Sequence, residues 1–296
     1  MEQPDILCIG SVLWDMIGRT SVPMRAGMDV PGRITRIPGG VALNIAMTLR
    51  RFGLRPALLS AIGRDAEGEE LVAACANLGL EMGAIYVSED LPTDRYMAVE
   101  GANGLIAAIA DAHSLEAAGD RVLTPMRNGT FGSEGSPWTG PVALDGNLTE
   151  QLLADIARSR LFARADLRVA PASPGKAERL TPLLGHPNAT FYVNREESGL
   201  LTKTEPVDST EAARAMRDAG ARRVLVTDGG RSACYADDDA IVDIAPPPVM
   251  VARVTGAGDT FMAAHIAAEL RGESPSNALS TAVRSAAQYV AGGDHL

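Results

Sequence analysis

Val254-Thr255-Gly256-Ala257-Gly258-Asp259-Thr260-Phe261 leads into Met262, Ala263, Ala264, Ile266, Ala267, Ala268 and Leu270. This run of small apolar residues reads as a tightly packed helix, which puts the glycines at its N-terminus. The first amides of a helix have no intrahelical partner, and with the aligned peptide dipoles they form a site for an anion. Gly256 and Gly258 have no Cβ, so a phosphate can approach their N–H groups closely. Asp259 has two readings at that place. It is either an N-cap, or a general base that takes a proton from a hydroxyl while the helix end stabilises a transferring phosphoryl group.

Far upstream, Ile6-Leu7-Cys8-Ile9-Gly10 is a short apolar run ending in Gly, as in a buried strand of a parallel sheet. Asp15 follows it, where ligands bind beyond the carboxyl ends of strands, and reads as a grip on a polar substrate or as a solvated turn residue. The segment from Val22 to Ile37 has the composition of short strands and turns. Pro38-Gly39-Gly40 opens a helix patterned by Val41, Leu43, Ile45, Ala46, Leu49 and Phe52 and closed by Gly53. Asn44 lies in its first turns, placed to hydrogen-bond vicinal hydroxyls or to face water. Pro56 to Gly63 predicts one further buried strand and Glu67 to Leu78 a helix ending before Gly79. Alternation at this spacing predicts an α/β fold, a doubly wound and mostly parallel sheet flanked by helices.

Tyr96–Glu100 and Leu105–Ala110 flank Gly101-Ala102-Asn103-Gly104, and Asn-Gly between apolar runs predicts a hairpin. Such a hairpin either covers a pocket, carrying Arg95, Tyr96 or Asp111 towards a ligand, or forms a solvated edge. Gly119 to Asn147 is rich in Gly, Pro, Ser, Thr and Asn and reads as a long loop. The rhythm resumes with a helix over Leu148–Arg158 and a strand over Leu167–Ala170. The strand at Ala189–Val193 ends in Asn194 and Glu197, and Arg222–Val226 ends in Thr227, Asp228, Gly229 and Gly230. Asn194 and Glu197 suit a Mg²⁺ hydration shell and Thr227 and Gly229 suit nucleotide phosphates, yet Asn-x-x-Glu is also a common helix start and Thr-Asp-Gly-Gly a turn.

A net charge of −10 over 296 residues argues against a nucleic-acid or anionic-membrane surface, both of which need a concentrated basic field. The N-terminal Met1-Glu2-Gln3-Pro4-Asp5 lacks a basic and apolar signal, and no run of about 18 apolar residues occurs, so a cytoplasmic location is expected. Cys8, Cys75 and Cys234 have neither metal nor disulfide spacing, and His113, His186, His265 and His295 form no ligand set.

Together these pieces resemble the ribokinase-like (PfkB) family of sugar and nucleoside kinases over nearly the whole chain. Pro38-Gly39-Gly40 with Asn44 is similar to the family's N-terminal signature, and Val254 to Phe261 to its C-terminal one. The resemblance implies one kinase domain over residues 1–296, with a small β-stranded lid from about 12–36 and 92–110. It implies ATP and Mg²⁺ as cofactors, Asp259 as catalytic base, and the amides of Gly256, Ala257 and Gly258 as anion hole. Asp15, Gly39, Gly40 and Asn44 would bind the substrate, joined by Arg95 and Asp111 of the hairpin. Asn194 and Glu197 would organise Mg²⁺ through water rather than ligate it directly, and Thr227 and Gly229 would contact the nucleotide. A homodimer through the lid is the candidate assembly. Members activated by a monovalent cation carry an acidic residue where this chain has Arg253, so the resemblance does not extend to a K⁺ site.

Thr93 to Val99 and Ala108 to Ala112, with Pro38-Gly39-Gly40-Val41, resemble pseudouridine kinases, which implies phosphorylation of a C-nucleoside at its 5′-hydroxyl. Kinases of ribose, adenosine or fructose 6-phosphate, and a silent binding protein on the same fold, are the alternatives. A dinucleotide-dependent oxidoreductase is disfavoured because no Gly-x-Gly-x-x-Gly follows the first strand, and no Gly-Lys-Ser/Thr phosphate loop occurs.

Overall fold

A computed structural model describes residues 3–293; Met1 and Glu2 of the N-terminal stretch, and His295, lie outside the described residues. The chain opens with β1 (Ile6–Ile9), β2 (Leu13–Arg19), β3 (Arg33–Gly39) and α1 (Val41–Arg51). It continues through β4 (Pro56–Leu59), β5 (Ala61–Gly63), α2 (Ala66–Asn77), β6 (Tyr86–Ser88), β7 (Arg95–Gly101) and β8 (Gly104–Asp111). Two short helices, α3 (His113–Ala118) and α4 (Thr124–Arg127), precede β9 (Pro141–Asp145), α5 (Glu150–Arg158) and β10 (Asp166–Ala170). Then come β11 (Ala189–Asn194), α6 (Arg195–Thr202), α7 (Ser209–Asp218) and β12 (Arg223–Thr227). The chain closes with β13 (Ala233–Ala236), β14 (Ile241–Ile244), α8 (Ala257–Leu270) and α9 (Pro275–Val290).

The main sheet has the order β14-β13-β12-β11-β10-β9-β1-β4, parallel from β4 to β12 and antiparallel at β13 and β14. Alternate strand residues feed two cores. Leu7, Leu144, Val169 and Phe191 pack with Leu153 of α5 and Met216 of α7 on one face. Ile6, Cys8 and Leu225 pack with Leu43 of α1, Met262 of α8 and Leu279 of α9 on the other. Helices on both faces explain why the parallel strands read as continuous apolar runs. After β1 the chain steps to β4 on one side and later to β9 on the other, so the sheet order reverses at β1. In open α/β sheets that switch point, at the carboxyl ends, is where ligands bind.

A second sheet, β3-β2-β7-β8, combines segments from the two stretches singled out above around the Asn103-Gly104 hairpin. Residues Asp15, Tyr96 and Ala110 share one face of it; Met97, Ile109 and Ile34 belong to the other and are exposed. No helix among the described residues is long and apolar enough to cross a membrane.

Two expectations are corrected. Pro56–Gly63 is two strands in different sheets, with β5 pairing β6 and Ser60 at the break. Gly119–Asn147 is not a loop: Val122, Leu123, Met126 and Trp138 are buried, and β9 is an interior strand between β1 and β10. The loop composition belongs to residues 128–140 around it. Pro141 disguises β9, since proline is tolerated at the first residue of a strand but reads as a breaker.

Candidate active site

Gly256, at φ 88°, is the N-cap of α8, and an added Cβ there would lie 2.5 Å from the Tyr289 hydroxyl. Only glycine satisfies both conditions. Asp259 therefore stands in the first turn of the helix rather than at its cap. The Ala257 amide donates to the Val254 carbonyl at 3.0 Å, whereas the Gly256 and Gly258 amides enter no hydrogen bond among the described residues. Of the three amides expected to form an anion hole, that of Ala257 is thus engaged within the chain and those of Gly256 and Gly258 are not, among the described residues.

Asn44 projects from the first turn of α1 and its Nδ2 donates to Asp259 Oδ2 at 2.8 Å. Desolvation pushes the Asp259 carboxyl up to about 7; Asn44 opposes that shift, and the carboxylates of Asp145, Asp15 and Glu197 reinforce it. Asp15, buried in β2, is likewise raised to about 7 by burial. A Cβ on Gly39 would meet the Asp15 carboxylate at 2.0 Å, and one on Gly40 the Ser11 carbonyl at 2.5 Å. Gly40 lets α1 start against the end of β1, and Gly39 leaves room for the Asp15 carboxylate of β2.

Asp15, Gly40, Asn44, Gly256 and Asp259 line one cleft of about 1090 Å³ with Asn194, Glu197, Thr227 and Gly229. Asn194 and Glu197 form a reciprocal capping box: Glu197 N donates to Asn194 Oδ1 at 2.9 Å and Asn194 N to Glu197 Oε2 at 2.8 Å. The helix-start reading of this pair holds, and its side chains face the cleft as well. Burial raises Glu197 to about 7. Asp228, between Thr227 and Gly229, is paired with Arg195 at 3.1 Å and Arg231 at 2.8 Å.

Arg95 and Asp111 do not join the site. They stand opposite each other in the β7–β8 register, on the face away from the cleft, while the next pair, Tyr96 and Ala110, faces it. Arg95 bonds Glu67 at 2.7 Å and Asp111 bonds the His113 ring at 2.8 Å. Arg253 clamps the loop before α8 to the end of α9, donating to the Tyr289 and Gly293 carbonyls at 3.0 Å each.

Four site residues escaped the sequence reading. Asp145 is buried at the switch point, where its Oδ2 accepts from Ser11 N at 2.8 Å, Ser11 Oγ at 3.0 Å and Ala42 N at 3.1 Å, and its Oδ1 from Asn147 N at 2.7 Å. Asn147 Nδ2 donates to Ser11 Oγ at 2.9 Å, and Lys176 Nζ donates to Asn147 Oδ1 at 2.6 Å inside the cleft. Burial and the nearby Arg179 lower the Lys176 pKa. The signal for Asp145 was present in Pro141-Val142-Ala143-Leu144-Asp145, an apolar run ending in a polar residue as β11 and β12 end in Asn194 and Thr227.

The family model for pfkB carbohydrate kinases matches residues 3–293. The chain belongs to that family. It is thus a kinase of the carbohydrate and nucleoside class. Among curated family relatives it is similar to the pseudouridine kinase of Escherichia coli (strain K12), 27% identical over 88% of this chain and 82% of that one. The guanosine-inosine kinase of Exiguobacterium acetylicum is 25% identical over 97% of this chain and 94% of its own. The fold matches Arabidopsis thaliana ribokinase, solved with ribose and ATP, at a TM-score of 0.75 and 18% identity, covering 97% of this chain and 93% of that one.

Among the described residues no group of three or more His, Cys, Asp or Glu side chains is arranged to hold a metal ion. Glu197 and Asn194 each commit one side-chain oxygen to the capping box, which leaves the second carboxylate oxygen of Glu197 to meet an ion or its hydration water.

Proposed function

We propose that the protein transfers the γ-phosphoryl group of ATP to a hydroxymethyl oxygen of a nucleoside, with the 5′-hydroxyl of pseudouridine as first candidate. The carrying observation is Asp259, held by Asn44 at the N-terminus of α8 and raised to about 7 in the cleft that also holds Asp15 and Lys176. A carboxylate with that pKa removes the hydroxyl proton near neutrality, while the helix end and its glycine amides stabilise charge on the transferring group. Asp15 grips the acceptor hydroxyls. Thr227 and Gly229 contact the donor phosphates, and Mg²⁺, held through water by Asn194 and Glu197, would neutralise charge on the phosphate oxygens. The second sheet acts as a lid, bringing Tyr96, Leu105 and Ala108 over the acceptor. Its exposed outer face, with Ile34, Met97 and Ile109, is the surface on which a second copy would pair.

The cations of the cleft support this acceptor class. A phosphorylated sugar needs a cluster of them to hold its second phosphate, but Arg19 is engaged by Glu100, Arg36 by Glu70 and Arg95 by Glu67, and Arg33 does not line the cleft. Among the described residues the cleft is lined by two cations, Lys176 and Arg231, and Arg231 is paired with Asp228. Lys176, fixed by Asn147, suits a carbonyl oxygen of a base. The names of the two curated relatives support a nucleoside acceptor. A coupled ADP-release screen with pseudouridine, ribose, adenosine and fructose 6-phosphate tests this: the highest kcat/KM is expected for pseudouridine. A clear preference for fructose 6-phosphate would overturn the nucleoside reading, and no ADP with any acceptor would leave only a binding protein.

A further inference from the structure

The loop that ends at Gly256 is held from two sides. On the α9 side the Tyr289 hydroxyl donates to the Thr255 carbonyl at 2.8 Å, and Arg253 donates to the Tyr289 carbonyl at 3.0 Å. On the other side the Thr255 hydroxyl donates to Glu100 Oε1 at 3.2 Å, across 155 positions of sequence, and Glu100 belongs to β7 of the second sheet. The register of β7 against β8 shifts between Val99 and Glu100. A bulge at such a point re-aims the side chain that follows it. Arg19, opposite Glu100 on β2, takes the other carboxylate oxygen at 2.6 Å and leaves Oε1 for Thr255.

We infer that Glu100 is a positioning residue, a latch by which the second sheet sets the conformation of the anion-hole loop. The inference rests on the proposed lid role of that sheet. The α9 side of the loop belongs to the helical body; the Glu100 side travels with the sheet that covers the acceptor. Gly256 at φ 88° is a backbone without side-chain restraint, so the orientation of its amide depends on what holds Thr255. With the sheet over the cleft, the Thr255–Glu100 bond aligns the Gly256 and Gly258 amides for the transferring group. With the sheet displaced, the bond is lost and the loop relaxes, which ties phosphoryl transfer to the presence of an enclosed acceptor.

Hydrogen–deuterium exchange by mass spectrometry on the full chain, without ligands, compares wild type with Glu100→Ala, Thr255→Val and the double variant. The hydrogen-bonded amides of residues 255–260, those of Ala257 and Thr260, are expected to exchange about tenfold faster in each single variant, the loss of one hydrogen bond to a charged group, and no faster still in the double variant. Peptides from α1 and α9 should be unchanged. Wild-type exchange rates at 255–260, or additive effects in the double variant, overturn the latch. With a working acceptor, each single variant should lose about tenfold in kcat while KM for ATP stays within about threefold. A fall in KM affinity without a fall in kcat also overturns it. If wild-type protein transfers nothing to any acceptor, the proposed function fails, while the exchange comparison still decides the latch.

Discussion

Asn44 Nδ2 donates to Asp259 Oδ2 at 2.8 Å, joining the first turn of α1 to the first turn of α8 across 215 positions of sequence. Both helices start beyond the carboxyl ends of the parallel strands, so the bond aims the carboxylate into the cleft. A hydrogen bond to a carboxylate favours its ionised form, whereas burial raises Asp259 to about 7. Asn44 thus aims this carboxylate and limits how far its pKa rises.

Asp259→Asn keeps an oxygen for Asn44 but has no proton affinity to offer. Turnover should fall by about 10² to 10⁴, with ATP and acceptor affinities nearly unchanged by calorimetry. Turnover within twofold of wild type would remove Asp259 from the mechanism. In wild type, kcat/KM should fall as pH drops below about 7, where Asp259 takes up a proton.

Asn44→Ala and Asp15→Ala should each weaken acceptor affinity by roughly 1–3 kcal/mol while ATP affinity without acceptor holds. Their pH profiles should diverge. Losing the Asn44 hydrogen bond raises the Asp259 pKa and moves the acid limb of kcat/KM up in pH. Losing the Asp15 charge lowers it and moves the limb down. Limbs that move together would refute the pairwise account.

Stability should depend on pH in an unusual sense. Asp15, Glu197 and Asp259 are raised to about 7, so between their unfolded values and pH 7 the native state holds more protons than the unfolded chain. Their contribution is absent below the unfolded pKa and becomes a penalty that grows until about pH 7. Asp259→Asn should therefore be more stable than wild type at pH 8, by at most about 4 kcal/mol, and equal to it near pH 4. Urea unfolding at both pH values measures the difference.

Lys176→Met should raise acceptor KM about tenfold by removing a cleft donor, with KM for ATP unchanged. Because burial already depresses the Lys176 pKa, the melting temperature should not fall. An equal rise in both KM values would place Lys176 outside the acceptor subsite.

Asp145→Ala leaves the donors of Ser11, Ala42 and Asn147 without an acceptor and should cost about 3–5 kcal/mol in stability. Gly10→Ala should do the same, since its Cβ would sit 2.2 Å from Asp145 Oδ2. Wild-type stability in either variant would show that the network relaxes at no cost.

The elements written in local patterns were legible in the sequence. The α1 and α8 starts, the Asn103-Gly104 hairpin and the α/β rhythm each follow from glycine placement and apolar periodicity within about ten residues. The switch point and its Asp145 network were not, because β9 hides behind Pro141 in a segment of loop composition, and its role depends on neighbours β1 and β10 distant in sequence. Arg95 and Asp111 show the same limit. The hairpin was predictable, but which strand face meets the cleft is a period-two property that a pattern rich in Ala cannot specify.

The sequence by itself determined that a glycine-lined helix start carries a carboxylate, since conformational freedom and amide exposure at a helix end are local properties. Only the tertiary structure decided that Asn44 holds that carboxylate, that Asp145 joins β1 to α1, and that Lys176 enters the cleft with Asn147 as partner. Those facts depend on long-range packing, and the desolvation that raises Asp259 to about 7 exists only once α1 and α8 have closed around it.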